Sequence, residues 1–258
     1  MVCLTEETVE TLYLRREADW IVGVSGYAVR PKRVRREKPR VSALTSADTP
    51  KIRALRPDPV LKFSDLQAEI AAELIRSGVT VMAYNQRDVA SILAMIRHLG
   101  ATVDQAGRAA ELAGRLEARL DRVAARARGG PRPTVYFEEW DDPMIIGIGW
   151  VSELIGIAGG REVFTHLAGK DKAADRIVTS EAVIAAAPDV ILASWCGKKV
   201  REERIAARPW WDAMPAVRDG RIVEIKSPLI LQPGPAALTD GLDAIVAALS
   251  PVEAEAMR

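Results

Sequence analysis

The stretch AGRAAELAGRLEARLDRVAARARGGPRP, residues 106–133, decides how the chain is read. Leu112, Leu116, Leu120 and Val123 recur at three- or four-residue steps among alanines and Arg/Glu pairs, the signature of an amphipathic helix. The spacing predicts a single helix from Ala106 to Arg128. About 23 residues at ~1.5 Å each reach roughly 35 Å, enough to run along a whole lobe. Gly129-Gly130-Pro131-Arg132-Pro133 then stops it, because proline lacks the N–H and clashes with the preceding turn.

On both sides of that helix, strand-like and helix-like segments alternate. Ile21-Val22-Gly23-Val24 is an apolar run of strand length, closed by Ser25-Gly26. Thr49 to Leu55 reads as a short helix, and Pro57-Asp58-Pro59 leads into the strand Val60 to Phe63. Asp65 to Arg76 reads as a helix with Leu66, Ile70, Leu74 and Ile75 on its apolar face and Gly78 as its stop. Val79 to Tyr84 is a strand, and Asp88 to His98 a helix ending at Gly100. Val2-Cys3-Leu4 looks like the end of a strand.

Past residue 133 come a strand at Thr134 to Phe137, a helix at Trp150 to Ala158, and a helix at Ser180 to Ala187 capped by Ser180. Val190 to Ala193 and Arg221 to Ile225 are strands, and Leu238 to Leu249 a closing helix. Strands separated by helices imply mainly parallel sheets covered on both faces. The expectation is an α/β fold of two Rossmann-like lobes: 1–103, then the connecting helix 104–130, then 131–258. In such sheets ligands sit beyond the carboxyl ends of the strands.

Composition excludes several function classes. The 258 residues carry a formal net charge of +1, so bulk charge selects neither nucleic acid nor membrane. Two cysteines, Cys3 and Cys196, exclude a disulfide scaffold and a zinc ribbon. Two histidines, His98 and His166, are too few for most histidine-based metal sites. No apolar run approaches the ~18 residues that span a bilayer. The N-terminus, Met1 to Glu7, has neither a basic nor an apolar signal region, so the chain as written reads as cytoplasmic; a trimmed or reassigned start would make it periplasmic. The run Arg30 to Arg40 holds seven basic residues and two prolines without an interleaved aromatic, and reads as a solvated loop rather than a phosphate site.

Candidate site residues follow from the strand ends. Glu138-Glu139-Trp140-Asp141-Asp142 follows a strand, so its carboxylates around an indole could face a ligand's amide or amine donors, or grip a cation. The bland alternative is a solvated acidic loop. Ser194-Trp195-Cys196-Gly197-Lys198 also follows a strand. Trp195 offers a flat apolar face, and Cys196 is a weak candidate metal ligand or reactive thiol, more often a small packing residue. Asn85-Gln86-Arg87 presents amide and guanidinium donors, with helix capping as the equal alternative. His166 is the other weak metal candidate, and His98 reads as a helix C-terminal cap. Trp210 and Trp211 read as packing residues.

The order of these phrases resembles the metal-chelate class of ABC-transporter substrate-binding proteins, which bind cobalamin, haem or iron-siderophores. Ile21 to Tyr27 looks like the family's second strand and ligand-facing loop, and Ile52 to Val60 its "helix, Lys-Pro-Asp-Leu-Val" phrase. Glu153 to Phe164 is similar to its helix, Ala-Gly-Gly and phenylalanine. Ala185 to Leu192 repeats the Pro-Asp strand entry, and Trp211 to Ile222 resembles the stretch before its late strand. The resemblance spans nearly the whole chain and lies nearest the cobalamin binders. It implies a non-catalytic protein whose ligand, a corrinoid, is held in a cleft between two lobes, with no required cofactor and a monomeric state.

The resemblance also implies residue roles. Tyr27 falls where a tyrosine lies against the corrin, and Phe63 where a tryptophan stands. Leu44 and Asp175 stand where tryptophans would be, so the pocket is rebuilt. Trp150, after Gly147-Ile148-Gly149, falls where the family contacts ligand, with a core role as the even alternative. Glu181 matches one of two glutamates that dock on an ABC permease, whereas Pro50 replaces the other. The ligand-binding set is thus Tyr27, Phe63, Asn85, Glu139, Trp140, Trp150 and Trp195. Two rival readings remain: a haem or siderophore binder, and a cytoplasmic metal- or tetrapyrrole-handling enzyme or chaperone on the same frame. A dinucleotide enzyme is weak, because Gly147-x-Gly149 neither completes the glycine motif nor directly follows a strand.

Overall fold

The computed structural model describes residues 1–43 and 46–250, so Leu44 lies outside the described residues. The fold is α/β, in two compact units: Met1–Ala118 with Gln232–Ala236, and Arg119–Leu231 with the chain from Ala237 onward. The boundary falls inside the long helix Ala106–Ala127, which forms as its periodicity predicts. Ala109, Leu112, Ala113 and Leu116 are its buried positions in the first unit and Leu120 in the second.

The first unit is built on a wholly parallel sheet. Its strands are β1 (Val2–Cys3), β2 (Gly23–Ser25), β3 (Arg40–Ser42), β4 (Val60–Phe63) and β5 (Val81–Tyr84), in the order β3-β2-β1-β4-β5. β1 is central, with Val2 between Gly23 and Val60 and Cys3 between Val24 and Leu61. Its two residues are fully buried, as expected where helices cover both sheet faces. Gly23 is needed here, since a Cβ would lie 2.8 Å from Leu55 Cδ1.

Four local expectations change in this unit. The helix Glu6–Leu14 was not foreseen; its Glu, Thr, Val and Tyr positions are nearly all buried, so no polar face marks it. Over residues 65–76 a 3₁₀ turn, Asp65–Gln67, precedes a shorter helix, Ala68–Arg76. The tighter turn rotates Leu66 out of phase, and Ile75 lies about 100° around from Leu74. Ile70 and Leu74 are therefore buried, while Leu66 and Ile75 are exposed. Gly100 does not end its helix, which runs Val89–Thr102: a Cβ there would come within 2.1 Å of the Ala109 Cβ, so the glycine permits close packing of two successive helices. Gly78 does terminate its helix, at φ 80°. The basic run is not a bare loop, for it contains the short helix Val34–Glu37 with Val34 fully buried.

The second unit has a mixed sheet. β6 (Thr134–Asp141), β7 (Met144–Ile146), β8 (Arg161–Glu162), β9 (Val190–Ala193) and β10 (Ile222–Glu224) are ordered β10-β9-β6-β7, with β8 also beside β6. β9 lies parallel to β6 and to β10, whereas β7 folds back antiparallel. This corrects the reading of the acidic segment: Glu138 to Asp141 continue β6 instead of forming a loop. The strand was masked because Glu138, a charged residue, points into the core at 0 % exposure. Thr179, not Ser180, caps the helix Ser180–Ala186, accepting from Ala182 N at 3.2 Å. The Ser180 hydroxyl accepts instead from Trp211 Nε1, at 2.7 Å. The closing helix begins with a π turn, Ala237–Gly241, and continues as Leu242–Leu249.

The core of this unit centres on aromatic edge-to-face pairs, Tyr136 against Phe164 at 6.0 Å and against Trp211 at 6.2 Å. Trp211 is fully buried, but Trp210 is 79 % exposed with φ 70°. The turn can send only one of the two indoles inward, so Trp210 is not a packing residue.

Candidate functional site

Because the strands of the first unit run parallel, the residues that follow them gather at one sheet edge. After β1 come Leu4, Thr5 and Glu6; after β2, Gly26 and Tyr27; after β4, Ser64 and Asp65; after β5, Asn85, Gln86 and Arg87. Tyr27 is half-exposed there, its backbone N–H donating to Ser25 Oγ at 3.2 Å. Phe63 is partly buried, with the Arg87 guanidinium 5.6 Å from its ring centre. Arg87 also reaches Asp65 Oδ1 at 3.3 Å. Asn85 is exposed, whereas Gln86 is buried and donates to Pro233 O at 3.3 Å. Capping is done by Asp88 and Ser91, which form a reciprocal capping box.

Between β4 and the following turn the backbone is unusual. Ser64 has φ 52°, a region costing a non-glycine residue about 1–3 kcal/mol. It is over-determined: Ser64 N donates to Tyr84 O at 2.7 Å, its carbonyl accepts from the buried Lys62 ammonium, and its Oγ accepts from Leu66 N. Burial holds the Lys62 ammonium below its ordinary pKa.

The least expected feature lies on the helix after β1. Glu6, Glu7 and Glu10 are all buried. Glu10 is charge-paired with Arg30 at 2.9 Å and accepts from Ala236 N at 3.0 Å. Glu7 Oε1 accepts from Thr5 Oγ1 at 2.5 Å, yet its Oε2 and that of Glu6 have no partner in the protein. Burial pushes the Glu6 carboxyl up to about 8 and Glu7 to about 7, with repulsion from Glu7 and Glu10 adding to the first and from Glu10 to the second. Sequence reasoning missed these groups because Glu-Glu after a strand looks like a solvated helix start; no local signal marks its burial.

The corresponding edge of the second unit is differently made. Glu138 accepts from Tyr136 Oη at 3.0 Å, from Trp195 Nε1 at 2.9 Å and from two nitrogens of Arg208 at 2.5 and 3.0 Å. Arg208 in turn lies 4.5 Å over Trp211. Glu139 pairs with buried Arg176 at 2.8 Å, and Asp141 with Lys198. Burial by itself would raise Asp141, but the Lys198 bond overrides it and holds the carboxyl low. The Lys198 ammonium lies 4.0 Å from the Trp140 ring centre and 5.1 Å from that of Trp195. Trp140 is partly buried and donates to Asp142 O at 2.9 Å.

The other sequence candidates are placed as follows. Trp195 and Trp150 are each 2 % exposed; Trp195 packs in the core, and Trp150 donates to Ile230 O at 2.9 Å. Cys196 is exposed and Cys3 buried, and neither is in a disulfide. Burial pushes the Cys3 thiol up to about 12, leaving it unreactive. His166 is exposed beside Phe164, and His98 lies inside its helix against Tyr84 at 5.7 Å rather than capping it. Among the described residues no group of three His, Cys, Asp or Glu side chains could hold a metal ion. Glu181 is exposed in the first turn of its helix, Pro50 is exposed at the start of Thr49–Ala54, and Asp175 is exposed. Arg132, Pro133, Asp189, Asp219, Arg221 and Leu249 line a cleft of about 390 Å³ in the second unit. It lies at the amino ends of β6, β9 and β10, opposite Trp140 and Lys198.

Among the described residues no helix is long and apolar enough to cross a membrane. No curated relative matches the chain. Solved structures do match in fold. An ABC transporter substrate-binding protein from Listeria monocytogenes EGD-e superposes with a TM-score of 0.81 at 21% identity, over 96% of each chain. The periplasmic haem-binding protein RhuT from Roseiflexus sp. RS-1 gives 0.80 at 24% identity, over 96% of this chain and 97% of its own. The vitamin B12 binding protein of Vibrio cholerae gives 0.75 at 21% identity, over 96% and 94%. The model of one protein family, described as periplasmic binding protein, matches residues 1–229, and to that family the chain belongs.

Proposed function

We propose that the chain is a non-catalytic binding protein that holds a metal chelate, a corrinoid first among them, at the carboxyl edges of its strands. The observation that carries this reading is the family match over residues 1–229. The local chemistry supports it: Tyr27 and Trp140 offer aromatic faces suited to a flat macrocycle. Asn85 offers an exposed amide beside Phe63 and Arg87. Within the second unit Glu139, Trp150 and Trp195 are held by Arg176, Ile230 and Glu138 and complete the proposed binding set. The chelate is the cargo, and the reading requires no resident cofactor.

Mixing purified protein with cobalamin, cobinamide, haem and ferric siderophores, followed by absorbance and calorimetry, tests the reading. Saturable binding of a corrinoid is expected; no binding to any of the four overturns it. Delivery to an ABC permease would run through the exposed Glu181. Glu181→Ala should weaken capture by permease vesicles while leaving chelate affinity unchanged, and unchanged capture removes Glu181 from that role. The family's periplasmic description supports an extracytoplasmic site of action, in place of the cytoplasmic one the sequence suggests. Fractionating cells that make the native protein checks it, and a wholly cytoplasmic pool overturns it. Action as a monomer is checked by sedimentation.

A further inference from the structure

The first unit holds buried hydrogen-bond acceptors for which the protein supplies no donor. Glu6 Oε2 and Glu7 Oε2 belong to residues 8 % and 1 % exposed. A third orphan acceptor, Gln86 Oε1, sits on a residue 2 % exposed. Gln86 is tied to the same place through Pro233, whose carbonyl takes its amide, while a Cβ on the next residue, Gly234, would lie 2.5 Å from Glu7 Cβ. The cations nearby do not meet the need. Arg30 binds Glu10, and Arg35, exposed, acts on Glu6 only through space. Leaving such acceptors unmade costs about 1–3 kcal/mol each, more when charged, so something with N–H or O–H groups suits the site.

We infer that Glu6, Glu7 and Gln86 select the ligand by its donors, so that this edge takes a chelate whose rim carries amides or amines and rejects one whose rim carries carboxylates. The inference deepens, and rests on, the metal-chelate reading above. A bare metal ion does not fit, because no three ligating side chains converge among the described residues. Above about pH 8, where both carboxyls are ionised, a carboxylate rim would set anion against buried anion, which costs far more than a lost contact. An amide rim donates without changing the charge.

The experiment, run at about pH 9 so that both carboxyls are ionised, uses the whole chain and two corrinoids that differ only at the rim: cobyrinic acid, which carries carboxylates, and its amide form. The amide should bind roughly tenfold tighter or more, the scale of one or two satisfied buried acceptors. In Glu6→Gln/Glu7→Gln, which keeps side-chain volume, that preference should shrink severalfold, mainly through tighter binding of the acid. Circular dichroism and a melting curve establish that the variant is folded. Equal affinity for the two rims, or an unchanged preference in the variant, overturns the inference while leaving the chelate reading intact. Failure of both corrinoids, haem and siderophores overturns the chelate reading alone. The inference is then decided by metal-free probes: 1,4-diaminobutane should raise the melting temperature of the wild type, not of the variant, and glutarate should raise neither. Equal response to diamine and diacid overturns it.

Discussion

The two units place charge at the carboxyl ends of their strands in opposite ways. In the second, Glu138, Glu139, Asp141 and Glu224 each face a cation of the same unit, Arg208, Arg176, Lys198 and Lys226, and Glu162 alone of the strand-end glutamates described keeps a buried oxygen without a partner, at the end of the short β8. In the first, Glu10 has Arg30, but Glu6 and Glu7 keep buried oxygens without a donor. A compensated cluster fixes side chains, and here it holds Trp195 and Trp211. An uncompensated one stores a demand that something else must meet, and its carboxyls respond by holding protons. The same topological edge is therefore scaffold in one unit and appetite in the other.

The largest effect comes from breaking the compensated side. Arg208→Met leaves Glu138, fully buried, with only neutral donors. It should cost about 3–5 kcal/mol, the scale of an uncompensated buried charge. Chemical denaturation measures it; a loss under about 1 kcal/mol would mean that the pair merely breaks even. Arg208→Met/Glu138→Leu should recover much of the loss, because removing both charges removes the desolvation cost as well.

On the uncompensated side the effect is a dependence on pH. Glu6 and Glu7 are held at about 8 and about 7, above the ordinary 4.5. A raised carboxyl pKa means that the folded chain binds more protons than the unfolded one. Its contribution is fully present below about pH 4.5 and is lost as pH rises toward about 8. The groups facing this pair are Glu10, Arg30, Arg35, Tyr84 and Cys3. The melting temperature of the wild type should fall relative to Glu6→Gln/Glu7→Gln between about pH 5 and pH 8, and the two should converge at the acid end. Parallel curves would place these carboxyls in contact with water and dissolve the contrast.

How much of this was legible follows the same divide. The long helix, β4, β9 and the glycine stop at Gly78 announce themselves, because apolar period, strand length and a glycine C-cap act locally. What stayed hidden are charged residues turned inward. Glu138 made the end of β6 look like an acidic loop, and Glu6, Glu7 and Glu10 concealed a helix, because burial of a carboxylate depends on partners far away in sequence. Arg208 stands 70 residues from Glu138, and Trp195 57. The aromatic candidates show the same limit. Tyr27 and Trp195 both follow strands, yet one ring is half-exposed and the other in the core.

A smaller effect belongs to local capping, which owes nothing to either cluster. Asp88→Ala removes one arm of the box that fixes the helix after Asn85 and Gln86, and should cost about 1 kcal/mol. If Gln86 is oriented for ligand, the same change should also weaken chelate binding, and a stability loss with unaltered affinity would detach the helix start from the site.

Lys198 gives the finest test, since it lies at the rim of the compensated edge. Its ammonium touches Asp141 and the faces of Trp140 and Trp195, but the side chain is 40% exposed. Solvent screens such a contact, so Lys198→Met should cost no more than about 1 kcal/mol. The carboxyl should respond more than the fold does. Without Lys198, burial is left to act on Asp141, and its pKa should rise from its lowered position. A pH titration followed by carboxyl NMR reads this directly. If Asp141 does not move, its low value comes from its backbone donor and the nearby Arg204, and Lys198 is held by the two indoles alone. Its charge would then be available to an acidic group placed against the second unit's edge.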